Sequence, residues 1–358
     1  MADIFINYGT NLQKTTYELM EAAKISDSLN PAMKIGIKPN LVVSRPAEHG
    51  ATTHPEIVEG IIRYLQDFGI HNITILEGSW VGDNTQLAFK NCGYTAFSEK
   101  YGVKLLDTKK DKATQVKSGD ISLNVCESAL YVDYLINVPV LKGHCQTGMT
   151  CCMKNLKGCI PDSEKRRYHT MGLDKPIALL NTVLRPALHI VDSVCGDLSF
   201  EEGGNPVIAN RIMLGFDPVV LDSYGAQLMG FHPDEIGYLR LGKNYGIGSY
   251  ADAGTEIIEL NADHRPRMSI TNSTTVKSLS KYIEADSACS ACYAALIYAL
   301  DKAGGIKGKS IKIGQGYRNK TPGGIGVGNC TAGCEHYVKG CPPKASDIVE
   351  MIHREKRG

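Results

Sequence analysis

The residues best suited to chemistry are four cysteines near the carboxy end, Cys289, Cys292, Cys330 and Cys341. Cys289 and Cys292 form a Cys-x-x-Cys pair in the string CSAC, followed by the apolar run YAALIYALDKAG. Such a pair supplies two thiolates from one turn of chain. Cys330 lies in VGNCTAGC, after the strand-like KSIKIGQGY, and Cys341 lies in KGCPP. The glycines beside Cys330 let the backbone pass close to a bulky group, and the prolines after Cys341 stiffen the chain. Four thiolates arriving from separate directions suit a 4Fe-4S cluster, because its irons are held through sulfur. A tetrahedral zinc takes the same ligand type. The long gap between Cys292 and Cys330, with its glycine-rich backbone, favours the cubane. Unligated buried thiols are the remaining reading. Cys334 is a fifth cysteine within reach, able to replace Cys330 or to stand spare.

A second concentration of reactive types spans residues 142–169. Lysine, arginine, histidine and cysteine crowd there with few carboxylates to balance them, which marks a locally positive cleft for a carboxylate or phosphate. Lys142 and His144 follow the apolar run LINVPVL, so they are expected at a strand end. With Lys154 they are the candidates for binding an anionic group or transferring protons. Glu77 joins them as a candidate catalytic acid at another strand end. Lys38, Asn40, His54, Asn155 and His169 are the candidates for substrate binding. Asp192 also falls at a strand end, whereas Asp222 reads as a helix-face residue packing near the site. TGMTCCMKNLKG reads as a helix that begins at glycine, with an amino end that suits an anion. Cys151 and Cys152 read as buried thiols on it. Cys145 beside His144 is a further candidate nucleophile, although adjacency in sequence is not side-chain contact. A second metal site from Cys145, Cys151, Cys152 and Cys159 lacks clean ligand spacing. Lys165, Arg166 and Arg167 read as a solvated charge run. GGNP (203–206) and GIGVGN (324–329) do not follow a strand and open a helix, as a dinucleotide fingerprint requires.

These groups need a scaffold, and the pattern supplies one. MKIGIKPNLV (33–42), NITILEGS (72–79) and VKLLD (103–107) read as strands. HPEIVEGIIRYLQDFG (54–69) places Ile57, Ile61, Leu65 and Phe68 on one helical face, with proline at its start and glycine at its end. Residues 84–102 read as one further helix. Alternation of this kind predicts an α/β fold, a mostly parallel sheet with flanking helices. Ligands then sit beyond the carboxyl ends of the strands. Two units are expected: an α/β domain over residues 1–270, and a smaller cysteine-bearing module over 271–358.

Composition narrows the class. The chain has 358 residues, 43% apolar and 22% charged, with a net charge of +1. Ordinary apolar and charged content fits a globular protein. A balanced charge gives no general attraction to nucleic acid or an anionic membrane. No apolar run is long enough to span a membrane, and MADIFINYGTNLQ lacks the basic start and apolar core of a signal peptide. The expected location is therefore cytoplasmic. Twelve cysteines in a reducing compartment argue for metal ligation, reactive thiols or buried residues rather than disulfides.

The CSAC, GNC and GCPP strings resemble the proximal-cluster pattern of nickel–iron hydrogenase small subunits. They are also similar to the related quinone-reductase subunit of respiratory complex I. That resemblance covers Cys289 to Pro343. From about residue 30 to 245 the chain resembles the family known as domain of unknown function 362, through KPNLV, THPEIVEGIIRYL, ILEGS, NVPVLKGH, MKNLKG, RRYH, IVDSV and DPVVLDSYGAQLMG. Members of that family often carry iron–sulfur motifs at the carboxyl end. A more distant likeness in layout links the chain to nickel-dependent lactate racemase-type proteins, without implying nickel here. The family resemblance does not itself deliver a reaction, but the cysteine set and the basic cleft together lead to the expectation of an iron–sulfur protein of anaerobic metabolism. It would be an oxidoreductase that reduces a small anionic substrate with electrons from a ferredoxin-like donor. A non-redox lyase or racemase with a structural or Lewis-acid cluster is the first alternative. An electron carrier or cluster-assembly partner is the second.

Overall fold

Strict alternation of side chains builds the central sheet. Ile35 and Ile37, Ile73 and Ile75, and Tyr134 and Ile136 enter one core, whereas Leu76 and Leu135 enter another. This is the period of two that puts successive strand residues on opposite faces. The structure is a computed structural model that describes residues 3–198, 200–265, 278–306 and 308–357.

Strands β1 (Ile4–Tyr8), β2 (Ile35–Pro39), β3 (Ile73–Glu77) and β4 (Lys104–Asp107) come first, followed by a hairpin of β5 (Ala113–Ser118) and β6 (Ile121–Cys126). Next are β7 (Tyr134–Val138), a hairpin of β8 (Lys142–His144) and β9 (Gly148–Thr150), the long strands β10 (Leu188–Asp197) and β11 (Pro206–Gly215), and the short β12 (Ile257–Glu259). Eight of them form one sheet in the order β12-β1-β11-β10-β7-β2-β3-β4. Every pairing from β10 to β4 is parallel, while β11 is antiparallel to both β10 and β1. The α/β fold with a largely parallel sheet is thus as the sequence implies. Both faces are covered by helices, as a parallel sheet requires. Leu12–Ala22 and Pro55–Asp67 contribute to one core. Asp174–Val183, Pro218–Leu228 and Gly237–Asn244 contribute to the other.

Three local expectations change. The helix expected over 84–102 is two helices, Thr85–Asn91 and Ala96–Tyr101, separated at Gly93, whose φ of 83° breaks the helical run. Phe68 falls just past the end of Pro55–Asp67 and is 44% exposed, so the buried face is completed by Val58, Ile62 and Tyr64 instead. TGMTCCMKNLKG does not form one helix. It starts as β9, continues as the short helix Cys152–Asn155, and ends in the 3-10 turn Leu156–Cys159.

The carboxy-terminal residues form a second sheet of β13 (Ile283–Ala285), β14 (Ile311–Ile313), β15 (Ile325–Val327) and β16 (His336–Val338), all parallel. Its apolar face packs on helices Ser290–Ala303 and Ala345–Glu355 through Leu296, Ile297, Ile313, Val327 and Ile352. Cys289, Cys330 and Cys341 each follow a strand end by three or four residues. They therefore collect at one edge of this sheet. That edge meets the first sheet's surroundings directly. Gln146 Nε2 donates to the Ala288 carbonyl (2.9 Å), Gln315 Nε2 donates to the Arg166 carbonyl (3.3 Å), and the Phe200 and Tyr298 rings meet edge-on. The unit boundary expected at residue 270 lies outside the described residues.

Candidate functional site

The carboxyl ends of both sheets open onto one cavity. From the first sheet come Lys38 and Asn40 at the end of β2, and Glu77, Gly78, Ser79 and Trp80 at the end of β3. From the second come Gly314 and Gln315 after β14, Gly328 and Cys330 after β15, and Gly340 and Cys341 after β16. Cys289 and Cys292 complete that wall. All four cysteines therefore face the segment 150–169, which lines the cavity with Thr150, Lys154, Asn155, Lys157, Gly158, Lys165, Arg166 and His169.

The four thiols act on one another. Burial raises the Cys289 thiol, and Cys330 and Cys341 raise it further. Burial, then Cys289, Cys341 and Cys330, push Cys292 up to about 12. Arg318 Nε donates to Cys330 Sγ at 3.2 Å. A Cβ on Gly328 would lie 3.6 Å from Cys292 Sγ, so the glycine keeps this wall close to the sulfurs. Cys334 is elsewhere. It is buried beside β15, where a Cβ on Gly326 would come within 2.8 Å of its sulfur, and it does not line the cavity.

The opposite wall is held by paired charges. Lys38 and Glu77, both buried, meet at 2.8 Å. Glu77 also accepts the Leu41 and Gly78 backbone N–H groups, and Lys38 donates to the Pro39 carbonyl. Gly158 packs on this pair, and a Cβ there would overlap both the carboxylate and the amine. Gly158→Ala is therefore expected to cost about 1–3 kcal/mol through overpacking, measured by urea unfolding. A neutral effect would show that the ion pair does not press on this backbone.

A second buried network centres on Glu201. Lys154 Nζ donates to its Oε1 at 2.7 Å, and His144 Nε2 lies 2.9 Å from its Oε2. Burial opposes ionisation of Glu201, but His144 and Lys154 outweigh it and hold the carboxyl well below its usual range. His144 Nδ1 accepts from the Gln146 and Thr147 backbone N–H groups, so Nε2 carries the proton of a neutral ring. Burial pushes His144 down to about 4. Lys142 donates to the Ala51 and Glu201 carbonyls and to Asn40 Oδ1, and burial pushes it down to about 7.

Most of the residues expected from sequence meet at the cavity: Lys38, Asn40, Glu77, Lys154, Asn155, His169 and the four cysteines. Lys142, His144 and His54 are placed otherwise. Lys142 and His144 lie one layer back, because β8 turns into a hairpin and their polar atoms are used by Asn40 and Glu201. His54 pairs with Asp192 at 2.8 Å, with Cys195 Sγ 3.6 Å from its other nitrogen. Lys165 is not solvated. Its amine is buried and donates to the Gly78 and Ser79 carbonyls, both at 2.9 Å. Arg166 is exposed and lines the cavity. Glu201, which sequence reasoning passed over, and Lys157, which it placed only within the basic segment, also line the cavity. Their signals were a Glu-Glu pair in a glycine-rich loop and a lysine inside MKNLKG. Burial, then Lys154, push Lys157 down to about 7.

The His54–Asp192 pair sets a pH dependence. Burial opposes charging of His54, but Asp192 outweighs it and raises the ring to about 11. The unfolded ring titrates near about 6.5. Stability from this pair is thus fully present below that pH and is lost as pH rises toward about 11, on the order of 1.4 kcal/mol per unit. Urea unfolding at about pH 6 and about pH 9 should show wild type losing more stability than His54→Gln. Equal slopes would rule the pair out as a charged one.

Cys151, Cys152 and Asp222 form a further buried group with ligand atoms within 4.8 Å of one another, and among the described residues they are a possible metal-binding set. Asp222 is already engaged. It accepts the Cys152 and Met153 backbone N–H groups at 2.6 and 3.0 Å, which ties helix Pro218–Leu228 to the start of Cys152–Asn155. Among the described residues no helix is long and apolar enough to cross a membrane.

The thylakoid-associated protein sll1697 of Synechocystis sp. is 25% identical over 185 residues, covering 50% of this chain and 56% of that protein. The lactate racemase apoprotein from Thermoanaerobacterium thermosaccharolyticum shares 13% identity, with a TM-score of 0.42 over 65% of this chain and 57% of that one. A Thermotoga maritima protein shares 12%, with a TM-score of 0.41 over 66% and 60%. The chain thus spans little more than half the length of the relatives it matches. Residues 35–227, more than half of the chain, match one family along their whole span, and the chain belongs to that family, described as domain of unknown function (DUF362).

Proposed function

We propose that this chain is a 4Fe-4S oxidoreductase of anaerobic metabolism that reduces a small anionic molecule in the cavity between its two sheets. The observation that carries the reading is the facing of four cysteines by a cationic wall. Among the described residues, Lys38, Lys154, Lys157, Lys165, Arg166 and Arg318 line the cavity against only Glu77 and Glu201.

The donor set fits a cubane better than a single ion. Zinc–sulfur bonds of about 2.3 Å in a tetrahedron put sulfurs about 3.8 Å apart. Among the described residues, no three of the four terminal sulfurs lie within 4.8 Å of one another. A four-iron cluster needs that wider spacing, because the irons sit between the thiolates. Cys289, Cys292, Cys330 and Cys341 would hold it, and Arg318 would donate to the Cys330 thiolate as an outer partner that tunes its charge. When bound, the group supplies one-electron transfer. Cys341 is exposed, which gives an external carrier such as a ferredoxin an edge to approach.

The chain's own residues do the rest. The cationic wall draws in and orients the anion. Lys38–Glu77 and Lys154–Glu201 fix that wall without being consumed by the ligand. His169 offers a ring nitrogen at the cavity for proton transfer. The test is to reduce the anaerobic protein and mix it rapidly with panels of anionic acceptors while following the cluster absorbance. Reoxidation by an acceptor supports the reading. Turnover that persists when the cluster is locked in one oxidation state would remove the relay from the mechanism.

A further inference from the structure

We infer that Lys157, Arg166 and His169 form a subsite for a dianionic group, a dicarboxylate or a phosphate monoester, on the wall facing the cysteines. This deepens the proposed function and rests on it for the charge of the opposite wall.

Most of the lining cations already have partners. Lys38 is neutralised by Glu77 at 2.8 Å and Lys154 by Glu201 at 2.7 Å. Lys165 spends its amine on the Gly78 and Ser79 carbonyls and on Asp162. Arg318 gives Nε to Cys330. Lys157 and Arg166 line the same cavity, and among the described residues neither side chain has an ion pair or hydrogen bond. His169 Nδ1 is buried without a partner. Lys157 is the neighbouring charge that acts most strongly on His169, and its field reaches Cys289. Arg166 also acts on Cys289, so Lys157 and Arg166 both stand near that thiol, and His169 shares the cavity with them. An unpartnered, half-buried lysine amine and an orphaned buried ring nitrogen on one cavity are costly unless something occupies the space beside them.

Charge sets the class of ligand. A cubane on four thiolates carries about two negative charges when oxidised, so six lining cations, with Lys157 protonated against an incoming anion, and two carboxylates leave an excess of about two positive charges. One dianion balances that excess, and a monoanion does not. Dicarboxylates and phosphate monoesters share this charge and the planar or trigonal oxygen faces that guanidinium and ammonium recognise.

The test is titration calorimetry on the full chain with its metal content intact, using malonate, inorganic phosphate and methyl phosphate as dianions and acetate as the monoanion. At least one dianion should bind about tenfold more tightly than acetate. Lys157→Gln and Arg166→Gln should each weaken it by about tenfold or more, whereas Lys175→Gln, at an exposed site paired with Asp120, should not. Preference for malonate assigns a dicarboxylate, and preference for the phosphates assigns a phosphoryl group. Iron content and the circular dichroism spectrum are read on every variant. Normal iron with no dianion binding in the wild type overturns the subsite and leaves the cluster reading standing. Affinity unchanged in folded Lys157→Gln also overturns it. Loss of iron from the wild type itself, with dianion binding retained, strikes the cluster reading and leaves the subsite.

Discussion

Cys330→Ser loses most of its bound iron and its absorbance near about 400 nm, whereas Cys334→Ser keeps both. The two cysteines are four positions apart, and spacing alone does not choose between them. The structure does. Cys330 lines the cavity with Cys289, Cys292 and Cys341 and receives the Arg318 Nε–H. Cys334 packs beside the β15 backbone and feels Lys312 and Glu335 rather than the other cavity thiols. Cys289→Ser, Cys292→Ser and Cys341→Ser should behave like Cys330→Ser. Iron and sulfide assays on anaerobically purified variants give the answer. Retention of a full complement in Cys330→Ser, with loss in Cys334→Ser, would exchange the two assignments.

Glu77→Leu destabilises the chain by about 3–5 kcal/mol, because it leaves the fully buried Lys38 amine without its counter-charge. The double variant Lys38→Met/Glu77→Leu recovers much of that loss, since an apolar pair of similar volume carries no desolvation penalty. The pair is therefore held by mutual need rather than by net stability, and its role is to fix the wall beside Gly158 and the carboxyl end of β3. A double-mutant cycle by urea unfolding separates these contributions. If the two single variants and the double variant simply add, Lys38 and Glu77 are not acting as a unit.

Much of the scaffold was legible in the sequence. The apolar alternation in IGIKP and ITILE is a direct consequence of strand geometry, and both segments lie side by side in the parallel sheet. The helix Pro55–Asp67 was equally plain, down to its proline start. Local signals of this kind need no knowledge of distant residues. The candidate site was legible in part for the same reason. Lys38, Asn40 and Glu77 stand at strand ends, and strand ends of a parallel sheet point to one edge.

What the sequence could not show depends on partners far along the chain. Lys165 sits in a run of three cations and reads as solvated, yet its acceptors are carbonyls 86 and 87 residues earlier. Lys142 follows a strand and reads as facing the cleft, but it is claimed by Asn40, Ala51 and the Glu201 carbonyl. Glu201 lies in an irregular loop with no periodicity to mark it, and only the cluster of buried cations explains why a carboxylate must be there. His54 begins a helix and reads as a cavity residue, yet Asp192, 138 positions away, takes its ring.

The central claim is that Cys289, Cys292, Cys330 and Cys341 hold a four-iron cluster facing the cationic wall. The most direct measurement is iron, acid-labile sulfide and zinc content of the anaerobically purified chain, with an electron paramagnetic resonance spectrum after reduction. The account predicts about four irons and about four sulfides per chain and a reduced-cluster signal. A colourless protein with one zinc per chain and no labile sulfide would contradict it.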